Sequence, residues 1–169
     1  MKGDFNSILF STKEHIIKYK YDYIILIIIG AIIAYFVQVV IFDYKHEDPH
    51  WPITRKVHSF IQDCTYKSDN KYLQAISEFT KGKNYIMQFD DETNKIYRKE
   101  CIVTNWNSFH FLSHFILVLI FPHCYLAIFL ASFLYEIYEY VAYDCHDIAD
   151  VFYNIFGIIL ALTIRYFTG

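Results

Sequence analysis

"YEIYEYVAYDCHDIADVFYNIFG", residues 135–157, sets five carboxylates (Glu136, Glu139, Asp144, Asp147 and Asp150) among apolar residues, with no Lys or Arg. Basic side chains are absent from Cys101 through Ile164, so any compensating cation comes from histidine, a distant loop or something bound. Ionised acids inside a bilayer cost several kcal/mol unless paired, and such residues mark functional sites by default. The stretch fits two antiparallel helices that turn near Asp144–Asp147 and hold their acids on facing surfaces.

The helical spacing supports this. Ser132, Glu136, Glu139 and Tyr143 recur at i, i+4, i+7, i+11, and Asp147, Asp150, Asn154 and Gly157 at i, i+3, i+7, i+10. Gly157 and Ala161 add small residues to the second stripe, which lets backbones approach. Upstream, His110 and His114 are i, i+4 on a further apolar segment. With about 1.5 Å of rise per residue, His114, Glu136 and Asn154 all fall about 7 to 14 Å inside their helix ends, at one membrane face.

The whole chain agrees with a bilayer setting. Its 169 residues allow one domain, and 55% hydrophobic content with 20% aromatics exceeds the usual soluble composition. The fold class expected is an all-α membrane protein of about four transmembrane helices. A soluble loop module, possibly α+β, lies between the first and second. Residues 1–22 form a polar N-terminal segment with Lys2, Lys13, Lys18 and Lys20, and 23–42, "YIILIIIGAIIAYFVQVVIF", is an uncharged signal anchor. The lysines before it favour a cytoplasmic N-terminus. No signal-peptide cleavage pattern appears. The membrane expected is an endomembrane or a viral or host membrane, in keeping with the Ile-, Tyr-, Phe-, Lys- and Asn-rich bias of an AT-rich coding sequence.

Residues 43–104 balance ten acidic against ten basic side chains and read as water-exposed. "NKYLQAISEF" puts Tyr72, Leu73, Ile76 and Phe79 at helical spacing before Gly82. "NYIMQF" and "KIYRKECIV" flank "DDETN" as the strands of a hairpin, and "DPHWPI" is extended, because proline disfavours helix in the residue before it. Residues 105–168 form a three-helix bundle, about 105–121, 124–143 and 148–168, whose short connections force antiparallel neighbours. The first of these is barely long enough to span, and Trp106 is placed at its interface. Cys64, Cys101 and Cys145 fall on one side and Cys124 on the other, so a Cys64–Cys101 disulfide requires a lumenal or extracellular loop. Scattered basic residues and a net charge of −3 argue against nucleic acid as a partner.

The chemistry follows from the charge inventory. Glu136, Glu139, Asp150 and Asn154 offer oxygen ligands for Ca²⁺ or another hard divalent cation, while His110 and His114 are the candidate catalytic bases or bring in Zn²⁺. Asp144 and Asp147 read as helix-end caps. The ordered set His110-Phe111, Glu136-x-x-Glu139 and Asp147-x-x-Asp150-x-x-x-Asn154-x-x-Gly157 resembles VanZ-like small polytopic membrane proteins. More distantly, "FHF" and "YEIYEY" resemble the core of eukaryotic phosphatidylserine synthases. The second resemblance implies a calcium-dependent exchange of a phospholipid head group for serine, a small amine-bearing substrate. His110 would be the base there, and Glu136, Glu139 and Asp150 the calcium ligands. The first implies a fold rather than a reaction. The alternative is a non-catalytic polytopic protein whose acidic stripes brace the bundle and whose loop binds protein partners. A proton or cation transporter is a third reading, but no inverted repeat is visible to support it.

Overall fold

The computed structural model describes residues 5–37, 60–61, 63–81, 100–143 and 147–168. The segments "DPHWPI" and "NYIMQF", together with Asp144, Cys145 and His146, lie outside them. The described chain is mostly helical, with six helices and one pair of short strands. The elements are α1 (Phe5–Lys18), α2 (Lys20–Val37), β1 (Cys64–Lys67), α3 (Lys71–Lys81), β2 (Cys101–Thr104), α4 (Asn105–Ile120), α5 (Tyr125–Tyr143) and α6 (Ile148–Thr168). A single 3₁₀ turn, Pro122–Cys124, joins α4 to α5.

Among the described residues three helices are long and apolar enough to cross a membrane, as expected of an integral membrane protein: Lys20–Val37, Pro122–Val141 and Ile148–Thr168. Their outward surfaces carry large apolar side chains such as Ile28, Leu134, Phe156 and Ile159, all exposed, far more than a water-facing surface tolerates. α4 has 16 residues, about 24 Å of helix against about 30 Å of hydrocarbon. Within the polar segment before the first span, Phe5–Lys18 is helical. Tyr19 and Tyr23 continue the helical hydrogen bonding across the α1–α2 junction, donating to the His15 and Tyr19 carbonyls at 3.1 and 3.2 Å.

α4 packs most extensively against α6. Gly157 makes the approach possible, since a Cβ there would collide with the Phe111 carbonyl oxygen and lie 3.0 Å from the Phe115 amide nitrogen. Beyond that crossing, Val118, Cys124, Ile128, Ile158 and Ala161 form the apolar core. α2 reaches the bundle beside the 3₁₀ turn, where the Tyr19 ring stacks on His123 at 4.2 Å between centroids and a His15 ring nitrogen meets the His123 carbonyl at 3.0 Å.

The hairpin expected between "NYIMQF" and "KIYRKECIV" lies largely outside the described residues. Among the described residues β2 pairs antiparallel with β1, from the far side of α3. The Cys64–Cys101 disulfide closes this pair at a Cα–Cα distance of 5.7 Å. α3 forms where the spacing predicts it, yet with its faces reversed. Ser77 is buried and its hydroxyl donates to the Cys101 carbonyl at 3.3 Å, while Tyr72, Leu73, Ile76 and Phe79 are exposed. Removing the disulfide with the double substitution Cys64→Ser and Cys101→Ser should destabilise this unit by about 2–4 kcal/mol. Limited proteolysis should then cut within 60–104 faster than in the parent, with the helices of 105–168 still protected.

Candidate functional site

The site begins with a helix cap. Thr104 ends β2 and caps α4: its hydroxyl accepts from the Asn107 backbone N–H at 3.3 Å, while the Asn107 side-chain oxygen accepts from the Thr104 N–H at 3.1 Å. The Thr104 hydroxyl also donates to that oxygen at 2.9 Å. With its oxygen held between two donors, Asn107 must turn its amide nitrogen the other way, where it donates to Asp150 Oδ1 at 2.8 Å. Trp106, one residue earlier, donates its indole N–H to Asp150 Oδ2 at 3.1 Å. Expected at the interface, Trp106 is instead buried, because its N–H has a carboxylate to reach.

α6 presents the acid through a similar local device. Asp147 sits just before the helix and accepts from the Ala149 backbone N–H at 3.0 Å, the capping role expected of it, although it is buried. Asp150 follows in the first turn and Asn154 one turn later, both 2% exposed. Asn154 donates to Ser132 Oγ at 2.7 Å and to Glu136 Oε1 at 3.4 Å, joining α6 to α5. Its oxygen therefore faces His110 Nδ1, at 3.0 Å. An amide oxygen only accepts, so Nδ1 carries the proton and Nε2 presents a lone pair when the ring is neutral.

His110 is the centre of this arrangement. Its Nδ1 is 3.6 Å from Glu136 Oε1 and its Nε2 is 3.7 Å from Asp150 Oδ2. Nε2 is fully buried and has no hydrogen-bond partner among the described residues. The Trp106 ring meets the imidazole edge-on at 4.7 Å between centroids and closes one side. One ligand atom each from His110, Glu136 and Asp150 lies within 4.8 Å of the others, which is a spacing a single cation can bridge. This donor set, one imidazole and two carboxylates around an unpartnered nitrogen, suits Mn²⁺ or Zn²⁺ through the imidazole and Ca²⁺ or Mg²⁺ through the oxygens.

Of the residues singled out in the sequence, His110, Glu136, Asp150 and Asn154 converge. Asn154 spends its oxygen on the imidazole, so it orients the ring. Glu139 is buried one turn from Glu136 with a side-chain hydrogen bond to Tyr135, outside the three-residue cluster. His114 stands apart: its Nδ1 meets the His110 carbonyl at 2.8 Å, a bond within its own helix. Sequence reading missed Asn107 and the inward turn of Trp106. The signal was present, because Trp106, Asn107 and His110 fall at i, i+1, i+4 on one face, just after a Thr-x-x-Asn cap.

A cleft of ≈ 420 Å³ opens beside the cluster between α2, α4 and α5. Its walls are mostly apolar, and its polar residues include His110, Ser113, His114, Ser132, Tyr135 and Glu136. Compared with known proteins, the chain matches no family model, and no curated protein or solved structure shows significant similarity to it.

Proposed function

We propose that this chain is a four-span membrane enzyme that exchanges phospholipid head groups, with Glu136 and Asp150 holding a hard divalent cation and His110 acting as base. The observation that supports it is the buried His110–Glu136–Asp150 cluster, with no hydrogen-bond partner for Nε2 among the described residues, beside a mostly apolar cleft of ≈ 420 Å³. A cation there would neutralise the two carboxylates and polarise a phosphate brought to them. His110 Nε2 takes the proton from the incoming hydroxyl as that oxygen bonds to phosphorus. The same proton passes to the departing head-group oxygen as the old P–O bond breaks. Asn154 holds the ring in the tautomer this requires, and the buried surroundings exclude water as a competing nucleophile.

The disulfide on the site side of the bundle and the lysines of the N-terminal segment support one orientation. The site faces a lumenal or extracellular compartment and the N-terminus is cytoplasmic. Membranes containing the protein, given labelled serine with Ca²⁺ or Mn²⁺, should gain label in the lipid extract. His110→Gln should lower the rate by about a hundredfold or more, and Glu136→Gln should lose the cation dependence. Incorporation that never exceeds that of empty membranes removes the enzymatic reading.

One observation favours a second reading, a non-catalytic bundle with a partner-binding 43–104 region: both Asp150 oxygens already accept from Trp106 and Asn107. On that reading the polar network braces three helices, and Glu136→Gln changes stability without changing function.

A further inference from the structure

The cleft has a shape that the head-group chemistry alone does not require. α2 and α5 both present small residues to it: Gly30 and Ala34 on α2, Ala127 and Ala131 on α5. Small residues four apart normally draw membrane helices into contact. Here the helices stay apart, and a Cβ built at Gly30 meets nothing within 4 Å. α2 touches the bundle where Tyr23 and Leu26 pack on the core near the 3₁₀ turn, and it buries Val37 at its other end. Between these points the cleft remains open.

Polarity along the cleft is uneven. Leu26, Leu117, Ala127 and Ile128 line the end near the 3₁₀ turn, and His110 and Glu136 lie toward the other. His110 lines that end, and its Nε2, buried 3.7 Å from Asp150 Oδ2, has no hydrogen-bond partner among the described residues. A slot with one apolar end and one polar end, flanked by the lipid-facing residues Ile24, Ile28 and Ile32, fits a molecule of the same two-ended chemistry drawn sideways from the bilayer.

We infer that the cleft between α2, α4 and α5 binds one acyl chain of a bilayer phospholipid, with the chain along Gly30 and Ala127 and the head group at His110 and Glu136. The identity of the head group rests on the proposed exchange reaction, but the chain site does not. Burying the chain fixes the phosphate at the depth of the cluster. The second chain stays in the bilayer, so the lipid need not leave the membrane to react.

Gly30 gives the test, since a large side chain there fills the cleft without displacing a neighbour. The probe is phosphatidylcholine with a diazirine in one acyl chain, reconstituted with the full chain in nanodiscs, irradiated and mapped by peptide mass spectrometry. Adducts are expected on cleft residues such as Ile33, Ala127 and Ala131 above the level at outward Leu130 and Phe156. Gly30→Phe should lower the cleft adducts about tenfold, equal to the loss of about two buried methylenes. Gly30→Ala and the outward Ile28→Phe should leave them unchanged. Cleft labelling no higher than at Leu130 and Phe156, or labelling that survives Gly30→Phe, overturns the inference. If Gly30→Phe does not accumulate, the map of the parent protein decides alone. Cleft adducts in a protein that never incorporates serine would end the enzymatic reading and leave the chain site standing. Serine incorporation without cleft adducts would do the reverse.

Discussion

Gly157→Leu should leave no folded bundle in detergent. A Cβ alone at this position strikes the Phe111 carbonyl and sits 3.0 Å from the Phe115 amide nitrogen, both backbone atoms of α4 that no rotamer change can move aside. The helices must separate, and separation breaks the Asn154–His110 contact one turn away and opens the core around Ile158 and Ala161. Gly157→Ala should cost about 1–3 kcal/mol, even though alanine is the better helix former, and Gly157→Leu more than about 4 kcal/mol. Cys124 supplies the measurement, because it is a free thiol buried in that core. Its reaction with a maleimide fluorophore on heating should give a cooperative transition in the parent and a lower one in Gly157→Ala. In Gly157→Leu the thiol should react at once. A leucine variant that melts with the parent would show that α4 and α6 do not cross at this glycine.

Asp150→Ala should be nearly as damaging, for an electrostatic reason. The substitution strands the Trp106 indole N–H and the Asn107 amide in a buried site and removes the acid nearest to His110 Nε2. Breaking one partner out of a buried charged network costs about 3–5 kcal/mol. Asp150→Asn keeps the shape and one acceptor but points an NH₂ group at an existing donor, for about 1–3 kcal/mol. The same melting assay separates the two proposed roles of this residue. If Asp150 holds a cation, Mn²⁺ at a hundred times its dissociation constant should add about 2.7 kcal/mol to the parent and little to Asp150→Asn. A parent that gains nothing from Mn²⁺, Ca²⁺ or Zn²⁺ would leave Asp150 as a brace between α4 and α6.

The long helices and the inward stripe of α6 were legible because both depend on local spacing. Asp150, Asn154, Gly157 and Ala161 repeat at helical intervals, and all four are buried. What the pattern could not carry is the partner of each group. Trp106 looks interfacial by residue type, and only the position of Asp150 across the bundle turns its N–H inward. α3 shows the same limit: its period groups Tyr72, Leu73, Ile76 and Phe79 on one side without saying which side packs, and Ser77 faces β2 instead. The β1–β2 pairing is equally non-local. Its strands are separated by α3 and more than thirty residues, a distance that local spacing does not bridge.

Thr104 closes β2 and caps α4 with no residue between them. Trp106 and Asn107, the two donors that hold Asp150, lie in the first turn of α4, so a displacement of the disulfide-tied strand pair would reach the buried acid through continuous secondary structure.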